Sequence, residues 1–149
     1  MLFLTLKEIK SWPLTDEGWH EHPISLCVVR LGDDVKIAKG VRISHGCELA
    51  DSAQICKGAR LYAGVKIGVG AYIAKDTTIH AGVQIGAGSI IGPECRIGVD
   101  CVIRDNVRIG RAAILGHSCR IGGNSEIQSK AILFPETRVK NGAYYERGQ

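Results

Sequence analysis

Bulky aliphatic residues recur at every sixth position along most of this chain, without interruption over residues 31–139. The series is Leu31, Ile37, Ile43, Leu49, Ile55, Leu61, Ile67, Ile73, Ile79, Ile85, Ile91, Ile97, Ile103, Ile109, Leu115, Ile121, Ile127, Leu133 and Val139. Four residues after each of them the side chain is small, drawn only from Val, Ala, Cys, Ser and Thr. A six-residue repeat fits neither an amphipathic helix nor a hairpin sheet, and it is typical of a parallel β-helix.

The repeat also predicts which side chains point inward and where the chain turns. Side chains alternate along a strand, so the small residue two places before each aliphatic residue shares its inward direction. The third residue after each aliphatic position is Gly, Asp or Asn in 13 of 19 hexads, and these types tolerate the positive φ of a corner. Three hexads then form one triangular coil, stacked about 4.8 Å above the last. We therefore predict an all-β, single-domain parallel β-helix of about six coils over residues 31–143.

Residues 31–143, about three quarters of the chain, resemble the hexapeptide-repeat superfamily of left-handed parallel β-helices. The left hand is implied by the resemblance alone, because parallel crossovers are otherwise right-handed in almost all cases. Most enzymes of this superfamily are acyltransferases, so the resemblance implies acetyl-CoA or another acyl-CoA as co-substrate. One fold hosts several activities, and the function must be argued from individual residues.

The regions outside the repeat and the overall composition add four expectations. Residues 1–30 are predicted to cap the open solenoid end, and residues 144–149 to form a tail. A net charge of +4 in 149 residues permits an anionic small-molecule ligand without predicting nucleic-acid binding. The apolar run of residues 1–6 is too short for a signal peptide or a membrane span, so we predict a cytoplasmic protein with no membrane partner. The six cysteines lack zinc-ligand spacing, so we predict no metal site.

The strongest catalytic candidate in the sequence is His80, in the segment Thr-Ile-His-Ala-Gly-Val-Gln-Ile-Gly. This segment is similar to ones in acyltransferases that act on sugar-linked amines. The eighteen-residue period places Tyr62 one coil below His80 and Gly98 one coil above it. An outward imidazole there can act as general base on an acceptor hydroxyl or amine, while a thioester lies along Gly98 and Gly116. The alternative is an exposed or interfacial histidine without a catalytic role.

Two groups of outward residues predict further contacts. Ile114, Ile132 and Phe134 would form an apolar patch in water, which favours an interface, and with the habit of the superfamily it predicts a homotrimer. Arg96, and a basic strip elsewhere on the prism, are candidate sites for the phosphates of an acyl-CoA. The strip consists of Arg104, Arg120, Arg138 and Lys140, and its alternative role is a solubilising edge.

A second resemblance keeps a non-catalytic function open. Residues 115–122 and 124–133 look like the β-helix domain fused behind sugar-phosphate nucleotidyltransferases. In those relatives a histidine and an Asn-Tyr-Val-Gly-Asp-like motif follow, whereas residues 140–149 here contain neither. Two hypotheses therefore stand: an acyltransferase that acts on a sugar or amino-sugar derivative, and a trimeric β-helix scaffold or regulatory domain.

Overall fold

The computed structural model describes residues 19–21 and 28–146, which contain 21 β-strands and no helix. The strands are β1 (Trp19–Glu21), β2 (Val28–Leu31), β3 (Lys36–Ile37), β4 (Arg42–Ile43), β5 (Glu48–Leu49), β6 (Gln54–Ile55), β7 (Arg60–Leu61), β8 (Lys66–Ile67), β9 (Tyr72–Ile73), β10 (Thr78–Ile79), β11 (Gln84–Ile85), β12 (Ile90–Ile91), β13 (Arg96–Ile97), β14 (Val102–Ile103), β15 (Arg108–Ile109), β16 (Ile114–Leu115), β17 (Arg120–Ile121), β18 (Glu126–Ile127), β19 (Ile132–Leu133), β20 (Arg138–Val139) and β21 (Tyr144–Tyr145).

These strands form three sheets, one for each side of a triangular prism. Sheet A has the order β4-β7-β10-β13-β16-β19, sheet B β1-β2-β5-β8-β11-β14-β17-β20, and sheet C β3-β6-β9-β12-β15-β18-β21. From β2 onward every pairing is parallel and joins residues eighteen apart, for example Ile79 with Ile97. The chain is therefore a parallel β-helix of about six coils, which confirms the predicted period and fold class.

The interior is filled by the residues that the repeat predicts. Seventeen of the nineteen aliphatic residues of the series are buried, and the other two, Leu31 and Ile37, are half-buried in the first coil. Both Ile79 and Ile97 are fully buried, which confirms the register. The small residues two places before them, such as Thr77 and Cys95, are buried as well.

Every corner of the repeat has the same backbone conformation, whatever its residue type. All nineteen residues at the third position after the aliphatic series have a positive φ. Six of these are neither Gly, Asp nor Asn, and they include Ala112 (φ 57°), Lys130 (φ 62°) and Glu136 (φ 66°). Parallel pairing of the flanking strands imposes the left-handed conformation at these sites, although it is unfavourable for a residue with a Cβ.

Small polar side chains enter the core without losing their hydrogen bonds. Each of seven interior thiols and hydroxyls donates to the carbonyl oxygen fifteen residues ahead, in the next coil. The donors are Cys47, Thr77, Ser89, Cys95, Cys101, Cys119 and Ser125. A buried hydroxyl costs free energy only when it lacks a partner, so these residues tie adjacent coils together.

The first coil extends across the boundary predicted between the cap and the β-helix at residue 31. Strand β2 pairs in parallel with β5, and β1 pairs antiparallel with β2 at the edge of sheet B. Apart from β1 and β2, the predicted cap lies outside the described residues, as do residues 147–149 of the predicted tail. None of the residues that the structure describes forms a helix with the length and apolar character needed to span a bilayer.

Candidate functional site

The outer surface of sheet A consists of two columns of side chains. The leading column, immediately before the inward aliphatic residue of each strand, is Arg42, Arg60, Thr78, Arg96, Ile114 and Ile132. The trailing column, immediately after it, is Ser44, Tyr62, His80, Gly98, Gly116 and Phe134. Ser44 is buried although it lies in this outward column. The candidate site lies in the middle of the trailing column.

Tyr62 and His80 stack on each other there. Their ring centroids are 5.1 Å apart with an interplanar angle of 22°, an offset arrangement typical of aromatic pairs. The ladder sets this contact: the Tyr62 amide donates to the Ile79 carbonyl at 2.9 Å, and the His80 amide to the Ile97 carbonyl at 3.0 Å. Below them, the buried Cys47 thiol donates to the Tyr62 carbonyl at 3.1 Å. The tyrosine therefore covers one face of the imidazole and restricts its rotation.

Bare backbone continues the column on the other side of His80. A Cβ on Gly98 would lie 2.7 Å from backbone atoms of Gly116 and His117, and one on Gly116 would lie 2.6 Å from the Pro135 nitrogen. Because no side chain fits at either position, two consecutive coils leave a shallow step beside the imidazole. An extended ligand could approach His80 closely along this step.

Charge and apolar surface flank the step on the same sheet. Arg96 is exposed on β13, two residues before Gly98. The next two residues of its column, in register, are Ile114 and Ile132, exposed by 41% and 54%. Together with Phe134, which is 73% exposed, they form the apolar patch expected from the sequence. Sheet A thus carries an imidazole, a cation and an apolar surface in order along the axis.

The basic strip lies on a different face of the prism. Arg104 follows β14, Arg120 and Arg138 begin β17 and β20, and Lys140 follows β20, all on sheet B. Within one chain these cations do not face His80. The structure therefore brings His80, Tyr62, Gly98, Gly116 and Arg96 together on sheet A and leaves the strip as a separate surface.

The other histidines of the repeat lie at corners. The His117 Nδ1 lies 3.3 Å from the Ser118 hydroxyl oxygen, in the turn after β16. His45 occupies the equivalent turn four coils away. Within residues 19–21 and 28–146 there is no cluster of three or more side chains of the kinds that bind metal ions.

The sequence reasoning missed an open groove along sheet B. Its volume is about 790 Å³, and it extends over the first five coils. Its lining includes the side chains of Glu48, Lys66, Gln84 and Val102 and the backbone of Gly68. The signal was present in the trailing column of this sheet, where Gly32, Ala50, Gly68 and Gly86 leave the surface bare.

No protein-family model matches the sequence, and no curated protein sequence matches it. Solved structures are similar in fold. The UDP-N-acetylglucosamine acyltransferase from Campylobacter jejuni superposes with a TM-score of 0.64 at 17% identity, over 81% of this chain and 62% of that chain. The acetyltransferase domain of PglB from Neisseria gonorrhoeae, in complex with acetyl coenzyme A, gives a TM-score of 0.47 at 21% identity, over 79% and 54%.

A third similar structure is LpxA from Bacteroides fragilis, a UDP-N-acetylglucosamine acyltransferase, with a TM-score of 0.45 at 18% identity over 80% of this chain and 66% of that one. The chain spans about 54 to 62% of the length of the first structures it resembles. At these identities the likeness establishes the fold and no activity. The structural neighbours of this chain are hexapeptide-repeat acyltransferases, and it shares their parallel β-helix.

Proposed function

We propose that this chain is an acyltransferase that moves an acyl group from an acyl-CoA to a hydroxyl or amine of a sugar or amino-sugar derivative. One observation carries the proposal: the stacked His80 and Tyr62 lie beside the bare step of Gly98 and Gly116. This arrangement provides a base with a fixed ring and a surface on which a thioester can lie within reach of it. The fold shared with the Campylobacter acyltransferase is consistent with this reaction class.

In the proposed reaction, the neutral His80 imidazole accepts the proton of the acceptor O–H or N–H. The acceptor atom forms a bond to the thioester carbonyl carbon, and the carbon–sulfur bond breaks. The proton then returns from the imidazolium to the leaving thiolate, so that atoms and charges balance. General-base catalysis of this kind contributes about 10² to 10⁴ in rate.

The other residues of the site would bind and position the substrates. The pantetheine arm lies over Gly98 and Gly116, where no side chain keeps it away. The exposed guanidinium of Arg96, on the same sheet, pairs with phosphate oxygens of the coenzyme. Tyr62 restricts the imidazole on its other face, so the acceptor approaches from the open side. In a homotrimer packed through Ile114, Ile132 and Phe134, a neighbouring subunit supplies the second wall of the cleft.

The test is turnover of acetyl-CoA with a panel of amino sugars, followed by release of free coenzyme A thiol. His80→Ala should lower kcat by about 10² or more, because the general base is lost. The matched control is His117→Ala, which removes an imidazole from a corner turn and leaves sheet A intact. Equal turnover in wild type and His80→Ala would remove His80 from the mechanism.

The scaffold hypothesis rests on a separate observation. The coils between residues 28 and 146 continue without an extruded loop, and the apolar patch on sheet A suits assembly. A protein that only assembles would keep its patch and show no affinity for acyl-CoA. Absence of acetyl-CoA binding by calorimetry at about millimolar ligand, where even a weak Kd would be detected, would support this second function.

A further inference from the structure

Four cationic side chains surround a single glycine on sheet B, near the last coils of the prism. Arg104, Gly122 and Lys140 follow one another in the trailing column of this sheet. Arg120 and Arg138 lie beside them in its leading column and are paired in register. All four cations are exposed. The acyltransferase site on sheet A does not use them.

The backbone ladder fixes the spacing of this cluster. The Arg104 amide donates to the Ile121 carbonyl at 3.0 Å, and the Gly122 amide to the Val139 carbonyl at 2.8 Å. Residues in one column are therefore about 4.8 Å apart, and the two columns are separated by about 7 Å along each strand. The Gly122 backbone thus forms a floor, with a cation on the coil below, one on the coil above and two at its side.

Interior hydroxyls hold the cluster from beneath. The Ser89 hydroxyl donates to the Arg104 carbonyl at 2.7 Å, and the Ser125 hydroxyl donates to the Lys140 carbonyl at 2.7 Å. The floor itself admits no side chain, because a Cβ on Gly122 would clash with the Asn141 nitrogen. The backbone that carries the trailing cations is therefore tied to the interior by hydrogen bonds, and only backbone lies between them at Gly122.

No acid in the described part of the chain forms an ion pair with this cluster. Glu48 neutralises cations at the other end of the same sheet, where it lies 3.5 Å from Arg30 and 3.6 Å from Lys66. Among the described residues none of the four cations forms such a pair. The adjacent acid, Asp105, accepts a hydrogen bond from the Ala87 amide at 2.9 Å. Like charges directly opposite in a sheet are destabilising, so a bound anion would relieve the repulsion.

The sheet B groove leads into this cluster. Arg104 lines the groove and also flanks Gly122, so the two features form one continuous surface. Between the ion-paired Lys66 and Arg104, the groove is lined by uncharged residues, Gln84, Gly86 and Val102. A ligand with an anionic group at one end and an uncharged extended part would fit both regions.

We propose that the four cations around Gly122 bind the diphosphate group of an organic ligand whose remainder lies in the sheet B groove. Two neighbouring phosphate groups match the size and charge of the cluster better than one, because cations lie on three successive coils. The arginine guanidinium forms bidentate hydrogen bonds with phosphate oxygens. This site is on a different sheet from His80 and does not depend on acyl transfer.

Calorimetry with inorganic pyrophosphate tests the anion site directly. Wild-type protein should bind pyrophosphate at least about tenfold more tightly than orthophosphate, and Arg120→Gln with Arg138→Gln should weaken binding by about tenfold or more. The matched control is the pair Arg60→Gln and Arg108→Gln, which removes equal charge from sheets A and C. An equal loss in the control pair, or no binding by wild type, would overturn the proposal. Circular dichroism of each variant would verify that it is folded.

Displacement of pyrophosphate then tests the organic part and its source. Adenosine diphosphate and coenzyme A each carry a diphosphate, and displacement by one but not the other would identify the class of ligand. Val102→Trp, which fills the groove, should lower the affinity for the displacing compound by about tenfold and change the affinity for pyrophosphate by no more than about twofold. Failure of both compounds to displace pyrophosphate, or unchanged affinity in Val102→Trp, would overturn the groove assignment. His80→Ala should bind pyrophosphate as wild type does, whether or not acyl transfer occurs.

Discussion

Sheets A and B have the same backbone and interior, yet their outer surfaces differ completely near the last coils. In the leading column of sheet A, Ile114 pairs with Ile132. At the equivalent position of sheet B, Arg120 pairs with Arg138. One pair exposes apolar surface to water, and the other places two cations side by side. The same two-residue strand therefore supports opposite chemistry on adjacent faces.

The difference shows which positions determine the fold and which are free to vary. Coils are joined by backbone hydrogen bonds and by inward side chains, neither of which depends on the outward residue. Polar interior residues make the same contact on different sheets, as Cys101 does with the Gly116 carbonyl at 3.0 Å and Ser125 with the Lys140 carbonyl at 2.7 Å. Selection for binding can therefore act on each outer column separately.

The largest effect on folding is expected from a substitution in the interior, where sheets A and B do not differ. Ile97→Asp should prevent folding, because it buries an unpaired carboxylate among stacked aliphatic residues at a cost of several kcal/mol. Ile97 is fully buried. Circular dichroism and soluble yield would measure the loss. The matched control, Gln54→Asp, adds the same charge on the outside of sheet C and should fold, and loss of structure in both variants would contradict the distinction between inner and outer positions.

A smaller effect is expected from exchanging the chemistry of one outer column. We expect the chain to form a homotrimer through the sheet A patch, so Ile132→Glu should weaken assembly without unfolding the subunit. Light scattering would show the mass falling from about three times 16.0 kDa towards a single subunit. Gln54→Glu on sheet C is the control of equal charge. A wild-type mass of 16.0 kDa at micromolar concentration would contradict the predicted trimer.

The sequence was sufficient for the interior because the repeat leaves little freedom there. An aliphatic residue such as Ile79 occurs at every sixth position, and a shift of the strand register by one residue would turn all of these side chains to the outside. The corners were harder to predict, since Ala112, Lys130 and Glu136 adopt a positive φ that their side chains disfavour. Only the requirement to continue the coil imposes it.

The candidate sites were less predictable, because they depend on relations between coils rather than on residue type. The eighteen-residue period did place Tyr62 beside His80, and the structure shows the rings stacked. It did not indicate that Ser44 would be buried, or that interior cysteines would donate hydrogen bonds rather than only fill space. The groove on sheet B also escaped notice, since it is formed by missing side chains such as those of Gly68 and Gly86.

The smallest effect is expected at the small inward positions, two residues before each aliphatic residue, where sheet A has a single cysteine, Cys95. Burial raises the pKa of the Cys95 thiol to about 11. A raised pKa stabilises the fold below the thiol pKa of the unfolded chain, about 9, and this stability is lost as the pH rises towards 11. The loss is about 1.4 kcal/mol for each pKa unit.

Cys95→Ala should therefore remove part of the alkaline loss of stability. Alanine fits, because Ala59 and Ala113 occupy the equivalent position in other coils of sheet A. At neutral pH the variant should be less stable by about 1 kcal/mol, since the Gly110 carbonyl loses the thiol that donates to it at 3.0 Å. Between pH 9 and 11, however, its free energy of unfolding, measured with urea, should fall less steeply than that of wild type. Thr77→Ala, which removes a non-titrating hydroxyl donor from the equivalent interior position one coil below, should retain the wild-type slope, and a parallel fall in all three proteins would show that Cys95 does not ionise on unfolding in this range.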